Sequence, residues 1–325
     1  MKKIMLSGVK PTGRPHIGNY FGAMKQFVDL QNDFDEVFVF IADYHAMTSD
    51  TKKLLIGQNS IELALDYLAI GLDPEKVILF RQSSVPQVTE LSWIFSCLVT
   101  MPYLMRAHAF KDAEAKKKEV NVGTFNYPVL MSADILIQDA DIVPVGNDQK
   151  QHLEIAREIA RKFNTQYGMT FKEPQEKILE ETETVIGIDG QKMSKSYGNT
   201  IPLFASDEET EKIVMSVPMD SKGIDEKKNP DDYNLYKISK LFTNKEQDDE
   251  MRTMFENGGV GYADIKKYTA KIINDYLRPM REKRKELEKN PERVLEILEK
   301  GGKIARERAE KKMEDVRKKC GLNAD

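Results

Sequence analysis

The sequence predicts an α/β protein in which a doubly wound, mainly parallel sheet is followed by an all-helical region. Short apolar runs alternate with segments of helical periodicity through residues 1–163, a pattern that indicates βαβ units and a parallel sheet. From about residue 206 onward the pattern is mostly helical. We therefore expect a sheet domain over residues 1–200 and a helical domain over residues 201–325.

Four apolar runs predict the strands, because an uninterrupted apolar run suits a strand that is buried on both faces. They cover residues 4–6, 37–43, 77–80 and 142–146. Apolar residues at helical spacing predict helices over about residues 16–30, 52–70, 87–101, 128–138 and 148–163. A short strand and turn are expected over residues 185–190, and the charged run at 111–119 is expected to be a solvated helix or a mobile loop.

The stretch between the first strand and the first helix has the composition of an anion-binding turn. Residues 7–22 read S-G-V-K-P-T-G-R-P-H-I-G-N-Y-F-G. Glycine permits a tight turn, and a helix N-terminus presents unpaired N–H groups and the positive end of the helix dipole. His16 and Asn19 lie three residues apart, so both can donate hydrogen bonds to one ligand. The alternative is an ordinary strand–turn–helix in which the glycines only shape the turn.

A second candidate site is the segment Q-K-M-S-K-S at residues 191–196. Lys192 and Lys195 lie three residues apart, among hydroxyl side chains and turn-forming glycines. Lysine ammonium groups are mobile point charges that can follow phosphate oxygens during a reaction, and hydroxyls add donors. The segment therefore suits phosphoryl chemistry, in which charge placement matters more than covalent help. Taken alone, the same pattern is also typical of a hydrated surface.

Composition restricts the class of protein and of site. Charged residues make up 31% of the chain, and no run of eighteen apolar residues occurs, so no membrane span is expected. The two cysteines and four histidines are scattered, which argues against a zinc or iron–sulfur site. The N-terminus also lacks the apolar core of a signal peptide. We expect a reduced, cytoplasmic protein without a dedicated metal site.

Charge is distributed unevenly along the chain. The net charge is −4, yet residues 266–319 carry nineteen lysines and arginines against eleven aspartates and glutamates. A basic C-terminal segment on an acidic protein indicates a polyanionic partner at that end. Because the charges alternate in sign along helical stretches, the alternative is a solvated helix face.

Two motifs together resemble the signatures of class I aminoacyl-tRNA synthetases. The stretch P-T-G-R-P-H-I-G-N-Y at residues 11–20 resembles their first signature, usually H-I-G-H, with Asn19 in place of the last histidine. The segment K-M-S-K-S at residues 192–196 matches their second signature letter for letter. M-S-A-D-I-L at 131–136 and V-P-V-G-N-D-Q-K-Q-H at 143–152 are similar to the tryptophanyl-tRNA synthetases within this class. The resemblance is close from residue 4 to about residue 200, and it implies a Rossmann-like catalytic domain there.

This resemblance implies an ATP site with Mg²⁺ bound alongside ATP. The residues implied to hold ATP are Lys10, Pro11, Thr12, Gly18, Asn19, Gly146, Asn147 and Asp148, with Val185 as the adenine platform. A mobile loop on the phosphates is implied for Lys192, Met193, Ser194, Lys195 and Ser196. The implied catalytic residues are His16, Asn19, Lys192 and Lys195. Lys10 is a departure, because many members of the family carry glutamine there.

The resemblance also implies a tryptophan pocket lined by Tyr127, Met131, His45 and Gln149, with Asp134 accepting the indole N–H. Residues 128–138 form an apolar helix that carries one carboxylate, and a carboxylate in such a setting needs a donor. An indole has one N–H donor and no acceptor, so it fits an acceptor-only carboxylate. The alternative for Asp134 is a salt bridge within its helix or a cap on a neighbouring helix.

The activity implied by the resemblance is that of a tryptophan–tRNA ligase, with L-tryptophan, ATP and tRNA(Trp) as its partners. Rival interpretations are a tyrosyl-tRNA synthetase, a nucleotidyltransferase with the same type of sheet, and a paralogue that binds nucleotide or RNA without charging tRNA. The resemblance and the apolar helix near residues 91–99 predict a homodimer, although that helix could instead be buried within one subunit. The helical domain is expected to bind the tRNA anticodon. Tyr262, Tyr268 and Tyr276 are either stacking faces there or core residues.

Overall fold

The computed structural model describes residues 3–48, 55–106, 121–146, 149–178 and 185–323. Within these ranges, five parallel strands form one sheet with the order β3-β2-β1-β4-β5. The strands are β1 (Ile4–Val9), β2 (Glu36–Ile41), β3 (Val77–Arg81), β4 (Ile142–Val145) and β5 (Gln175–Ile178). The chain starts at the centre of the sheet, builds outward to β3 and then crosses to the other side. This is a doubly wound α/β fold, as the sequence predicts.

Helices connect successive strands, and further helices follow β5. α1 covers residues 17–30 and consists of Ile17–Asn19, a π-helical stretch Tyr20–Met24 and Lys25–Leu30. The other helices of the sheet region are α2 (Asp43–Ala46), α3 (Ile56–Ala69), α4 (Gln87–Ser96), α5 (Met101–Leu104), α6 (Val122–Ile137) and α7 (Lys150–Tyr167). The C-terminal helices are α8 (Asp207–Met215), α9 (Asn234–Ser239), α10 (Lys245–Glu256), α11 (Tyr262–Glu288) and α12 (Pro291–Lys319). Short 3₁₀ turns lie at Gln82–Ser84, Lys195–Tyr197 and Pro230–Asp232.

The strands are apolar on both faces because each face packs on its own core. On β1, Ile4 and Leu6 point into a core shared with α4, α6 and α7, while Met5 points into a core shared with α1 and α3. The neighbouring strand β2 alternates in the same way and pairs with β1 from Ile4–Glu36 to Val9–Ile41. Successive side chains of a strand point to opposite faces, so a continuous apolar run is what a doubly covered sheet requires.

Several expected elements have different bounds in the structure. β5 is missed by the sequence pattern, because Q-E-K-I is a polar run at the edge of the sheet. The helix expected at 128–138 begins at Val122, because Asn121 caps it and Pro128 is accommodated inside the helix. The helix expected at 87–101 ends at Ser96, and Pro102 lies in the first turn of the separate helix α5.

Three other expectations concern connecting segments. The strand expected at 185–190 is only an isolated antiparallel bridge between Ile186 and Lys192. The helix expected at 52–70 is seen from Ile56 onward, and the helix expected at 148–163 covers Lys150–Tyr167. The charged run at 111–119 lies outside the described residues.

The last helix, α12, returns to the sheet. It packs on β3 and α4, and its residues Ala305, Ala309 and Met313 belong to the same core as Ile4. A Cβ on Gly301 would collide with the Leu79 backbone carbonyl, so glycine is what allows the helix and the strand to come this close. The division into domains 1–200 and 201–325 stays a prediction. Across the described part of the chain, no helix combines the length and the apolar character needed to cross a bilayer.

Candidate active site

Residues 10–19 connect β1 to α1 and form one wall of the candidate site. The Thr12 N–H donates to the Lys10 carbonyl over 2.9 Å, and Gly13 follows with φ +91°, a left-handed conformation that favours glycine. His16 immediately precedes α1, and Asn19 Oδ1 accepts its backbone N–H over 3.1 Å. Asn19 therefore fixes the geometry of the helix start.

Gly18 allows the second signature segment to pack on this helix start. A Cβ on Gly18 would lie 2.9 Å from His16 Nδ1 and 3.3 Å from the Met193 Cβ. Met193 is buried, and its N–H donates to the Val185 carbonyl over 2.9 Å. The K-M-S-K-S segment is therefore anchored by its methionine against the first signature segment.

The two lysines of the second segment both have exposed side chains. Lys195 Nζ donates to the Thr12 carbonyl over 3.3 Å. A cavity of about 210 Å³ opens beside Lys195. Its polar or glycine lining residues include Lys10, Thr12, Gly13, Gly18, Asn19 and Lys195. Lysine ammonium, hydroxyl and amide groups around one cavity are suited to binding an anion.

Asn199 organises the second segment, although it is not among the residues predicted for the site. Its Oδ1 accepts the Ser194 N–H over 2.8 Å, and its Nδ2 donates to Asp189 Oδ1 over 2.8 Å and to the Lys192 carbonyl over 3.2 Å. The side chain is 2% exposed. A buried amide with these three bonds holds the loop backbone around Lys192 and Ser194. An asparagine next to a glycine predicts only a turn, so the sequence gives no specific signal for this role.

His16 is neutral at neutral pH in this setting. Burial, together with the nearby positive charge of Lys195, lowers the pKa of His16 to about 4. Its Nδ1 atom is buried and has no hydrogen-bond partner within the described ranges. The imidazole can therefore offer a hydrogen bond at the helix start without adding a charge.

A second cavity, of about 270 Å³, lies between β1, β4 and α6. Most of its lining is apolar: Leu6, Val9, Ala23, Phe27, Phe40, Ala42, Met131, Ile135, Val143, Pro144 and Val145. The polar or charged side chains around it are Ser7, Lys10, His45, Tyr127 and Gln149. Val9, Lys10 and Ala23 line both cavities, so the apolar cavity and the cation-lined cavity adjoin at the end of β1.

Asp134 lies directly behind His45 and is 3% exposed. His45 Nε2 lies 2.9 Å from Asp134 Oδ2, and Gln82 Nε2 donates to both carboxylate oxygens over 2.9 Å. Burial raises the pKa of Asp134, and the hydrogen bonds from His45 and Gln82 oppose that rise. Gln82 directly follows β3 and is not among the residues predicted for the site. No local motif distinguishes such a glutamine from any other polar residue at a strand end.

On the opposite wall, Tyr127 and Gln149 are joined through His152. The Tyr127 hydroxyl lies 2.5 Å from His152 Nε2, and Gln149 Oε1 lies 2.8 Å from His152 Nδ1. The Lys10 ammonium lies 5.5 Å from the centre of the Tyr127 ring, and burial lowers the pKa of Lys10. His152 is thus a buried support for two cavity side chains, and it was not identified from the sequence as a site residue.

The structure brings together many of the residues predicted for the site. Lys10, His45, Tyr127, Met131, Gly146 and Gln149 line the apolar cavity, and Thr12, Gly18, Asn19 and Lys195 line the cavity next to it. Asp134 lies behind the first cavity. Pro11, His16, Val185, Lys192, Met193, Ser194 and Ser196 lie in the same segments but do not line either cavity. Asn147 and Asp148 lie outside the described residues.

Comparison with known proteins gives the family. The model of the tRNA synthetases class I (W and Y) matches residues 2–278. The tryptophan–tRNA ligase of Fusobacterium nucleatum is 50% identical over 321 residues, covering 98% of both chains. The chain belongs to the tryptophanyl-tRNA synthetase family of class I tRNA synthetases. The two signature segments that meet at Gly18 and Met193 are therefore synthetase signatures, as the sequence predicts.

Further tryptophanyl-tRNA synthetases resemble this chain over nearly its whole length. The tryptophan–tRNA ligase of Rhodopirellula baltica is 46% identical, covering 98% of this chain and 99% of the relative. The crystal structure of the Campylobacter jejuni tryptophanyl-tRNA synthetase, complexed with ADP and tryptophan, superposes with a TM-score of 0.93. That structure is 44% identical and covers 98% of this chain and 99% of its own. The resemblance thus includes the helices after residue 200, whereas the motifs that carry it in the sequence lie before residue 200.

Proposed function

We propose that this chain is a tryptophan–tRNA ligase, which activates L-tryptophan with ATP and then transfers it to tRNA(Trp). The observation that carries the proposal is a buried carboxylate, Asp134, behind an apolar cavity that adjoins the cation-lined cavity of Lys195. An indole ring needs apolar surroundings and one acceptor for its N–H. A phenyl side chain offers no donor to that carboxylate, and sites built to hydrogen-bond a substrate N–H discriminate against analogues that lack it by roughly 10⁴–10⁵.

The proposed first step is an in-line attack of the tryptophan carboxylate on the α-phosphorus of ATP. The new bond joins the carboxylate oxygen to phosphorus, and pyrophosphate leaves. Lys10 lines both cavities, so it lies where the substrate carboxylate and the phosphates would meet. Lys195 and the start of α1 would stabilise charge on the phosphates. No protein nucleophile is required, because positioning and electrostatics supply the catalysis.

Magnesium bound with ATP would neutralise charge on the departing pyrophosphate. Across the described ranges, no three side chains of His, Cys, Asp or Glu lie close enough together to hold a metal ion. The ion would therefore be held by the ATP phosphates and water, which is usual for Mg²⁺ at nucleotide sites. In the second step a ribose hydroxyl of the terminal adenosine of tRNA attacks the adenylate carbonyl, and AMP leaves. Charging tRNA for protein synthesis implies a cytoplasmic location.

The decisive test is amino-acid-dependent exchange of pyrophosphate into ATP. We expect exchange with tryptophan and very little with tyrosine or phenylalanine. Exchange that depends on tyrosine would support a tyrosyl-tRNA synthetase instead. Adenylate formation without charging of tRNA(Trp) would support the paralogue that does not charge tRNA.

We also propose a homodimer that uses the surface around α4. Leu91, Ile94 and Phe95 of this helix are buried, whereas Trp93 is 73% exposed. Met101 in the next helix is also exposed, at 66%. A second copy of the chain would cover this apolar surface, as the resemblance predicts. Light scattering at micromolar concentration should give a dimer mass, and Trp93→Glu should shift it toward the monomer. A monomeric wild type would exclude the dimer.

The helical region is proposed to bind the tRNA anticodon, because one L-shaped tRNA must reach both the adenylate and a distant element. The tyrosines considered as stacking faces are poorly placed for that role. The hydroxyls of Tyr262 and Tyr268 donate to Asp220 and Glu250, and the Tyr276 ring packs on Phe242. Exposed lysines of α11 such as Lys267, Lys271 and Lys283 are better targets. Reversing their charges should lower tRNA charging and its salt dependence while tryptophan activation survives.

A further inference from the structure

Gln82 connects the Asp134 carboxylate on α6 with the backbone of His45 on α2. It is the first residue after β3 and is 1% exposed. Its Nε2 donates to both oxygens of Asp134 on α6 over 2.9 Å, and its Oε1 accepts the His45 backbone N–H of α2 over 3.3 Å. One side-chain amide therefore links the ends of β3, α2 and α6 behind the apolar cavity.

The hydrogen bonds leave the carboxylate with unused acceptor capacity on one side. An ionised carboxylate has about four acceptor positions over its two oxygens. His45 Nε2 occupies a position on Oδ2, and the Gln82 amide lies at equal distance from both oxygens. Oδ1 therefore keeps capacity for one further donor. A bound ligand with an N–H group can supply that donor.

We propose that Gln82 is a positioning residue for substrate selection, holding the Asp134 carboxylate ionised and oriented so that Oδ1 accepts the indole N–H of tryptophan. This inference rests on the proposed function. Gln82 itself touches no substrate and acts only through Asp134. The adjacent residue strengthens the arrangement, because the Ser83 N–H donates to Asp43 Oδ1 over 2.9 Å and so fixes the turn that carries Gln82.

The groups that face Asp134 from the neighbouring elements act on its ionisation in opposite directions. On α2, His45 favours the ionised carboxylate by its hydrogen bond, and the negative charge of Asp43 disfavours it. Lys10 at the end of β1 is the other charged side chain around the cavity. Burial raises the pKa of Asp134, so loss of the Gln82 donor should raise it further. A protonated Asp134 would present a hydroxyl donor in place of an acceptor.

The test is Gln82→Leu in the full-length protein, measured by pyrophosphate exchange between about pH 6 and about pH 9. Two substrates are compared: tryptophan, and benzothienylalanine, which has a similar ring but sulfur in place of the N–H. We expect kcat/KM for tryptophan to fall roughly 10- to 100-fold near neutral pH, because a hydrogen bond to a charged group is lost. The value for benzothienylalanine should change little. The loss for tryptophan should shrink as pH rises, because the ionised carboxylate is restored above its raised pKa.

Gln138→Leu is the matched control. Gln138 is also 1% exposed and follows the same helix α6, but its Nε2 donates to the Ala305 carbonyl over 3.1 Å. This variant removes a buried amide of the same size away from Asp134, so it should lower stability without changing the preference for tryptophan. If both variants reduce the two substrates equally, Gln82 has only a structural role.

A second variant, Gln82→Glu, tests the positioning role of Gln82 if Gln82→Leu does not fold. Gln82→Glu has almost the same shape but places a carboxyl group against Asp134, and two adjacent carboxylates cannot both ionise easily. We expect the preference for tryptophan over benzothienylalanine to fall and to become pH-dependent. A wild-type preference in Gln82→Glu would overturn the inference. Failure of wild type to use tryptophan would instead overturn the proposed function, so the two outcomes are distinguishable.

Discussion

Lys195 Nζ donates to the carbonyl oxygen of Thr12 over 3.3 Å, a contact between residues 183 positions apart. The ammonium group of the second signature thus lies on the backbone of the first. In the proposed reaction, negative charge accumulates on pyrophosphate next to both segments. The contact places Lys195 where that charge would develop.

We predict that Lys195→Ala lowers kcat for tryptophan-dependent exchange by roughly 10²–10³, with the KM for tryptophan nearly unchanged. The physical reason is loss of charge stabilisation in the transition state. Steady-state exchange kinetics measure both constants. Lys195→Arg keeps the charge and should retain more activity. A raised KM with unchanged kcat would mean that Lys195 binds substrate and transition state equally well.

We predict that Asp134→Asn weakens selection of tryptophan. The amide can turn its NH₂ group toward the indole N–H, and it also gives up the ionised acceptor that faces Gln82 and His45. The expected cost in kcat/KM for tryptophan is about 2–3 kcal/mol, with a smaller change for benzothienylalanine. Unchanged values for both substrates would remove Asp134 from the site.

The pKa of His16 predicts a pH-dependent loss of stability. The pKa is lowered to about 4 in the folded protein, so the unfolded chain binds a proton first as the pH falls. Stability due to the neutral imidazole is complete above the unfolded pKa and is lost as the pH falls toward 4. The loss is at most about 3 kcal/mol. Urea unfolding of wild type and His16→Asn at several pH values measures the effect, and the variant should lose less stability over this interval.

Two arginines of α11 should differ strongly in their contribution to stability. Arg284 is buried, and its Nε donates to Asp66 over 2.6 Å, while Arg278 is half-exposed and pairs with Asp275. Burial raises the pKa of Asp66 to about 6 even though Arg284 opposes that rise. Arg284→Met leaves a buried carboxylate unpaired and should cost about 3–5 kcal/mol. Arg278→Met should cost less than about 1 kcal/mol in the same urea titration. Equal costs would show that the burial of an arginine does not determine its contribution to the free energy of unfolding.

Gly301→Ala tests the close approach of α12 to β3. The added Cβ would collide with the Leu79 carbonyl, so the helix must move away from the strand. We expect a loss of about 1–3 kcal/mol or more in the free energy of unfolding. Gly57→Ala in α3 is the control, since its Cβ would meet nothing within 4 Å. That change should be neutral or stabilise the protein by up to about 1 kcal/mol.

The sequence predicts the sheet well where burial dictates residue type. Phe38 and Val39 face opposite cores, and such positions tolerate only apolar residues, so β2 is evident from the sequence. Gln175–Ile178 forms the edge strand β5, where one side of the backbone has no strand neighbour among the described residues and polar residues are accepted. Local pattern therefore carries no signal for β5.

The site residues likewise form two groups: those in motifs that the sequence reveals, and those whose role depends on contacts made by the fold. His16 and Lys195 belong to motifs whose spacing can be recognised along the chain. Gln82 and Asn199 act through partners 52 and five positions away, and nothing in their neighbouring residues predicts those bonds. Contacts between distant segments, such as Gly18 with Met193, become visible only when the fold brings the segments together.

The return of α12 to the sheet also has a consequence for how the chain is made. Ile4 and Leu6 share a core with Ala305, Ala309 and Met313, so the first strand and the last helix complete the same interior. A ribosome-bound chain lacking residues 291–319 leaves one flank of β3 open to water and to other nascent proteins. Native packing on this flank of the sheet therefore requires α12. A fragment that stops near residue 200 would lack part of its own interior.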